Sequence, residues 1–221
     1  MGRLLRVGLT GGIGSGKSTV ARLLGMMGAE IYTADDRAKA LMAGDAGLRR
    51  NIVGLLGPEA YSADGGSLNR AYIASQVFGD SDKLAALNAL VHPAVERDFG
   101  SWAARWDGAA QRPAYVVEEA AVLIESGGWQ RMDCVVVVTA PLEVRLRRVM
   151  RRDGASREAA ERRVRAQMDE KVRLGYADYL LAADEKRLLI PQAVRLHEAL
   201  CRAAERIRDI LPTFADESSN R

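Results

Sequence analysis

The chain has little of several things that would otherwise direct its reading. Among its 221 residues are two cysteines, Cys134 and Cys201, and two histidines. A disulfide scaffold is thereby excluded, no Cys-x-x-Cys pair exists, and a Cys/His zinc site has too few ligands. Both cysteines stand in apolar or helical patterns and are expected to be reduced, buried fillers. No apolar run reaches the roughly 18 residues that a membrane-spanning helix needs. The start, Met1-Gly2-Arg3-Leu4-Leu5-Arg6, has neither a long apolar core nor a small-residue cleavage site. Gly2 meets the first requirement of an N-myristoylation signal, but position 6 is Arg where Ser or Thr is needed. These absences together point to a cytoplasmic protein. Charge of one sign is lacking too. Lys and Arg number 32 against 29 Asp and Glu, a formal net of +3, which argues against a surface coated in base for nucleic acid.

What is present is the composition of a globular domain, 48% hydrophobic and 28% charged. The length corresponds to one or two domains at about 150 residues each, enough for a core without staples. Arg6 to Thr10 reads as a short strand running into glycines. Gly16 to Met27 reads as a helix, with Val20, Leu23, Leu24 and Met27 at helical spacing, and Glu30 to Thr33 as a second strand. This is a βαβ unit, which implies a parallel sheet covered by helices. From Asp35 to Trp106 helical patterns dominate, broken at Gly57-Pro58, Asp64-Gly65-Gly66, Phe78-Gly79-Asp80 and His92-Pro93. Strand character returns at Ala114 to Val117 and Cys134 to Thr139, the latter holding Val135 to Val138, an all-β-branched run suited to burial on both faces. Pro141 to Arg173 is helical and rich in arginine, with a break near Asp153-Gly154-Ala155. Tyr179 to Leu181 is a last strand candidate. Pro191 to Leu211 is an amphipathic helix using Val194, Leu196, Leu200, Ile207 and Leu211, and the polar tail Asp216 to Arg221 is expected to fray.

Gly11-Gly12-Ile13-Gly14-Ser15-Gly16-Lys17-Ser18 matches G-x-x-x-x-G-K-[ST] between a strand and a helix, the context that motif requires. Glycines let consecutive N–H groups converge on an anion, and the dipole of the following helix favours negative charge. Lys17 has the reach for β- and γ-phosphates, and the Ser18 hydroxyl can ligate Mg²⁺. Gly12, Ile13, Gly14, Ser15, Gly16, Lys17, Ser18 and Thr19 are the candidate nucleotide-binding residues. The spacing does not suit a dinucleotide-binding loop. A guanine-reading N-K-x-D and a D-x-x-G switch are both missing. Two classes stay open on the residues: a nucleotide-hydrolysing switch or nucleic-acid ATPase, and a kinase acting on a small acceptor such as a nucleoside or sugar. A kinase needs an acceptor pocket, a base and a lid, which the helical insertion and arginine-rich helices could supply.

Asp35 and Asp36 follow the second strand, at the sheet edge where ligands of parallel α/β folds bind. A carboxylate there can take the proton of an attacking hydroxyl, and Asp35 can equally cap the next helix. Glu119, at the end of the third strand, can orient a magnesium-bound water or be an ordinary carboxylate starting the next helix. Glu125 is unassigned. Trp102, Trp106 and Trp129 are expected to pack rather than stack on bases. Arg145, Arg148 and Arg152 share one helix face; one or two of them, Arg148 first, are expected to touch phosphate and the rest to be solvated.

Taken together, these segments resemble the dephospho-CoA kinase family, nearly end to end. The carriers are Val7 to Thr19; Ala34-Asp35 with Ala38-Lys39; Leu87-Asn88-Ala89-Leu90-Val91-His92-Pro93; Glu119 to Glu125; Arg147 to Asp153; Gln167; and Ala177-Asp178. The His-Pro segment and the Arg147 to Asp153 stretch are the specific ones, since the phosphate loop alone fits many kinases. The resemblance implies an α/β fold of P-loop NTPase type, a three-layer α/β/α sandwich with a parallel sheet, a helical acceptor-binding insertion and a helical lid. A single domain would comprise a core (1–34, 112–144, 175–221), an insertion (35–111) and a lid (145–174). It implies ATP, Mg²⁺ and dephospho-CoA as cofactors and substrates, with no nucleic acid and no membrane. Asp35 would be the catalytic base, Lys17 and Arg148 would serve the transferring phosphoryl group, Ser18 would hold the metal, Arg148 and Arg152 would bind phosphates, and Lys39 and His92 would join Asp35 on the acceptor side. The chain departs from the family pattern at Thr33, Ala121 and Ala182-Ala183-Asp184. The basic excess sits in the expected lid: residues 145–173 hold eleven Lys and Arg and five Asp and Glu, a local net of +6, which suits a cap over polyphosphate.

Overall fold

Apolar side chains that alternate along a strand must be covered on the face where they collect. Leu5, Val7 and Leu9 collect in this way on one face, with Tyr115, Val117, Val136, Val138 and Leu181 from the neighbouring strands. The structure, a computed structural model, describes residues 3–62 and 67–210. In chain order it forms β1 (Leu5–Thr10), α1 (Lys17–Met26), β2 (Glu30–Thr33), α2 (Ala34–Gly44), α3 (Ala46–Leu56), α4 (Arg70–Val77), α5 (Ser81–Ala104), β3 (Tyr115–Glu119), β4 (Cys134–Thr139), α6 (Leu142–Asp153), α7 (Arg157–Arg165), α8 (Glu170–Leu174), β5 (Tyr179–Ala182) and α9 (Leu189–Ile210). Two compact units result: Ala34–Ser101, and the remainder, Met1–Thr33 with Trp102–Arg221.

The larger unit is an α/β layer structure. Its five strands are all parallel in the order β2-β3-β1-β4-β5. α1 covers the apolar face through Val20, Ala21 and Leu24, and α9 through Ala193, Leu196, Leu200 and Ala204. Each fully buried Leu of this kind stabilises the fold by about 1.5–3 kcal/mol. On α9 the core stripe includes Leu196 and Leu200, with Ile207 packed against it, whereas Val194 is exposed; Leu211 and the tail lie outside the described residues. A smaller cluster of Leu146, Val149 and Ala160, with Ile13 and Val164, ties α6 and α7 to the loop after β1. Trp102 packs on Tyr32 and on Trp106, and Trp129 packs on Tyr176. No helix among the described residues is long and apolar enough to cross a membrane.

The smaller unit is helical. Asp45 caps α3 by accepting from the Leu48 N–H at 2.7 Å, and Asn69 caps α4 in the same way. Tyr61 donates to the Met42 carbonyl and Tyr72 to that of Leu56. The breaks expected at Gly57-Pro58 and at Phe78-Gly79-Asp80 occur; Asp64-Gly65-Gly66 lies outside the described residues. The break expected at His92-Pro93 does not occur, and His92 is helical: α5 runs straight through Pro93. The reason is arithmetic. One internal proline costs about 3 kcal/mol, while Leu87, Val91, Val95 and Phe99 are all buried on one face of α5, at about 1.5–3 kcal/mol each.

Both cysteines are half-buried rather than fully enclosed. Burial nonetheless pushes the Cys134 thiol up to about 12, with Asp178 and Asp133 acting in the same direction. Since the thiolate is the nucleophile, Cys134 should resist iodoacetamide at pH 8 in the native protein and react in denaturant. Rapid alkylation of the native protein, read by peptide mass, would contradict this.

Candidate active site

The carboxyl end of β1 leads directly into the glycine-rich loop. Gly14 (φ 77°) and Gly16 (φ 98°) occupy the left-handed region, where a side chain costs about 1–2 kcal/mol. At Gly14 a Cβ would also stand 2.5 Å from the Arg145 carbonyl oxygen. These turns dispose the loop's carbonyls outward, and those of Gly12 to Gly16 each find a donor. The Gly12 carbonyl accepts from Ser15 N–H at 3.0 Å, and that of Gly16 from Thr19 and Val20 at the start of α1. The Ile13 carbonyl accepts from Arg145 Nε at 3.0 Å. The carbonyls of Gly14 and Ser15 accept from Arg148 Nη1 at 3.2 and 3.3 Å. With the carbonyls so engaged, and with the Ile13 and Ser15 N–H groups donating to Gln167 and Gly12, the amides of Gly14 and Gly16 and those opening α1 are left to converge on an anion, the arrangement of a phosphate cradle.

Lys17 and Ser18 open α1 and meet one acceptor. The Lys17 ammonium is hydrogen-bonded to Glu119 Oε1, and Ser18 Oγ donates to the same oxygen at 3.1 Å. Glu119 ends β3, where its register partners are Leu9 of β1 and Thr33 of β2; it begins no helix, since turns follow it. Its side chain is 5% exposed and that of Lys17 11%, so the pair is largely desolvated. A hydroxyl and a carboxylate side by side are hard oxygen donors of the kind Mg²⁺ takes, one or two from the protein and the rest from water and phosphate. The residues present fit such an ion. Near the base of the loop the hydroxyls of Thr10 and Ser15 are buried and have no hydrogen-bond partner among the described residues.

The arginine face divides differently from expectation. Arg148 reaches the loop and also donates to the Ala183 carbonyl at 2.8 Å. Arg145, expected to be solvated, is buried. Its guanidinium lies against Gly12 and pairs with Glu170 at 3.1 Å. Burial lowers its pKa, opposed by Glu170 and reinforced by Arg173. Helical spacing placed Arg145 beside Arg148, but only the fold shows a glycine loop occupying that space. Arg152 is exposed and forms a two-pronged pair with Asp153, at 2.7 and 3.0 Å. Glu125 pairs with Arg173 at 3.5 Å. Asp184, after β5, accepts from the Lys186 and Arg187 N–H groups; these and the Arg187 side chain hold its carboxyl down to about 2.

The structure thus brings Lys17, Ser18 and Arg148 together at the loop, with Glu119 beside them. Asp35, Lys39 and His92 belong to the smaller unit. Asp35 is exposed in the first turn of α2, which begins one residue earlier at Ala34, so it is not the capping residue. Lys39 is paired with Asp36 at 2.8 Å, and His92 is half-buried on α5. Sequence reasoning named Arg145 but expected it in solvent, and missed Glu170. Glu170 carries no motif, and only its place at the start of α8, opposite Thr139 and Arg145, distinguishes it.

Comparison with known proteins bears on this arrangement. The family model for dephospho-CoA kinase matches residues 5–188. A dephospho-CoA kinase of Bacteroides fragilis is 38% identical over 192 residues, 87% of this chain and 91% of that protein. That of Chlorobaculum tepidum is 40% identical over 183 residues, 81% of this chain and 86% of that protein. Among solved structures, TT1252 from Thermus thermophilus has a TM-score of 0.76 at 35% identity, covering 89% of this chain and 97% of its own. The dephospho-CoA kinase from Campylobacter jejuni, at 22% identity, has a TM-score of 0.66 over 90% of this chain and 98% of its own, a likeness of fold.

The loop geometry is testable at one atom. Gly14→Ala should lower the thermal midpoint and abolish ATP binding, because the new methyl meets backbone at a positive φ. A variant as stable as the wild type and binding ATP normally would refute this conformation of the loop.

Proposed function

The chain belongs to the dephospho-CoA kinase family, and from that premise we infer that it transfers the γ-phosphoryl group of ATP to the ribose 3′-hydroxyl of dephospho-CoA, giving CoA and ADP. This is the last step of coenzyme A synthesis, and a cytoplasmic setting goes with the reading. The observation that carries it is the single Glu119 carboxylate engaging both Lys17 and Ser18 beside a loop whose carbonyls are turned outward. An ordinary glycine turn has no use for a lysine and a serine gathered on one buried carboxylate.

In this reading the loop from Gly12 to Thr19 holds the phosphates through the amides of Gly14, Gly16, Lys17 and Ser18, since those of Ile13, Ser15 and Thr19 already donate to Gln167, Gly12 and Gly16, and Lys17 exchanges Glu119 for the β- and γ-phosphate oxygens. Ser18 would hold Mg²⁺, with Glu119 ordering a water on it; the ion, when bound, offsets charge on the β- and γ-oxygens. Arg148, already fixed beside the loop, lies against the nucleotide. Arg152 leaves Asp153 to meet phosphate as the lid, residues 145–174, closes. Asp35 accepts the proton of the attacking hydroxyl, and Lys39 and His92 hold the acceptor within a helical insertion, residues 35–111. The surface charge of the lid favours this reading over a nucleic-acid ATPase. Arg147, Arg157, Arg163 and Arg165 are engaged by Glu185, Glu143 and Glu161, Asp153, and Glu161 respectively, which leaves them poorly placed to release counterions from a nucleic-acid backbone.

Incubation with ATP, Mg²⁺ and dephospho-CoA should yield CoA, detected by mass. Turnover on a nucleoside or sugar instead would replace the acceptor, and salt-dependent binding of RNA or DNA without phosphorylation would replace the class. Asp35→Asn should lower kcat by about 10²–10⁴ while ATP still binds; near-normal turnover would remove Asp35 from the base role. Lys17→Ala should lower kcat by about 10²–10³ through lost charge stabilisation, and an unchanged kcat would remove Lys17 from that role.

A further inference from the structure

Ile13 is held at both of its backbone polar groups by side chains from the helical segment that follows β4. Its N–H donates to Gln167 Oε1 at 2.7 Å, and its carbonyl accepts from Arg145 Nε at 3.0 Å. The Arg145 guanidinium is not free to choose this contact. Glu170 Oε2 accepts from Arg145 Nη1 at 3.1 Å and from Arg173 Nη1 at 2.9 Å. Its other oxygen accepts from Thr139 Oγ1 at 2.6 Å, at the end of β4. Arg173 is fully buried and is itself fixed by the Met168 carbonyl and Glu125. One carboxylate therefore receives two guanidiniums and a hydroxyl, and the Arg145 guanidinium it orients is the one lying against Gly12 and Ile13.

We propose that Glu170 is a positioning residue for the phosphate loop: through Arg145 it holds the Ile13 carbonyl outward and so presets the amides that receive the nucleotide. The chemistry is direct. A buried guanidinium without its carboxylate seeks other acceptors, and the nearest change open to Arg145 is to release or drag the loop carbonyl. Gln167 holds the same residue from its N–H side, so the lid segment and the loop share one anchorage. Two ends of that segment, Arg145 on α6 and Gln167 ahead of α8, close on Ile13 together. The proposal rests on the ATP-binding part of the proposed function and not on the acceptor.

The test is ATP binding, measured calorimetrically with Mg²⁺ and without acceptor, on folded Glu170→Gln, Arg145→Met and the double variant. Each single variant should weaken ATP binding about tenfold, the loss expected for a charge-assisted contact. The double variant should be no weaker than either single one, because Glu170 acts through Arg145. In the steady state the KM for ATP should rise while the KM for dephospho-CoA stays as it is. Unchanged ATP affinity in Glu170→Gln, additive losses of about a hundredfold in the double variant, or a rise confined to the acceptor KM would each overturn the proposal. Where Glu170→Gln does not fold, Thr139→Val removes only the hydroxyl that fixes the same carboxylate. It should weaken ATP binding about threefold, and unchanged affinity in that variant overturns the proposal. A wild-type protein that binds ATP but makes no CoA would sink the acceptor assignment and leave this test standing. One that does not bind ATP would sink both.

Discussion

Turning a run of backbone amides toward an anion forces the carbonyls of the same residues the other way, and each of those carbonyls must find a donor. The loop after β1 depends on this condition. Local turns satisfy the carbonyls of Gly12 and Gly16, but those of Ile13, Gly14 and Ser15 are satisfied by Arg145 and Arg148. The guanidinium suits the task because its donors form a rigid planar fork that stays charged when buried. The cradle is thus a property of the loop and α6 together, and α6 is held in turn by Leu146 and Val149 in the cluster that includes Ile13.

The parallel sheet puts the chemistry where these parts converge. β1 delivers the loop, and its register with β3 sets Leu9 beside Glu119, so the carboxylate stands within reach of the first residues of α1. β4 ends at Thr139 and hands the chain to α6. Burial on both faces, marked by the all-valine stretch of β4, makes the ends of these strands rigid supports. A membership that rests on matches over residues 5–188 covers all five strands and the helices between them.

Much of this was legible in the residues themselves. Strand and helix periods place the elements to within a few residues: β2 and β4 have the expected bounds, and β3 begins at Tyr115 and runs to Glu119. The phosphate loop declares itself because only a glycine-rich backbone with a Lys-Ser pair, set between strand and helix, meets its geometric demands. Pro93 misled because a local preference for ending a helix is worth less than the apolar face of α5. Arg145 misled for the opposite reason. A charged residue on an exposed-looking helix face reads as solvated until a neighbouring loop is known to cover it.

The sequence by itself determined the βαβ start, the parallel sheet, the cradle and the likeness of family, because each depends on contacts between residues near in the chain or on a fixed spacing. Only the tertiary structure decided which arginine faces the loop, that Glu119 joins Lys17 to Ser18, and that Glu170 joins Arg145 to Arg173 and Thr139. Those pairings span 25 to 134 positions or rest on a buried residue whose surroundings come from several elements. Apart from Glu170 and Arg173, neighbours at i,i+3 on α8, no local period encodes them; they exist because strand order and helix packing bring distant side chains into one desolvated space.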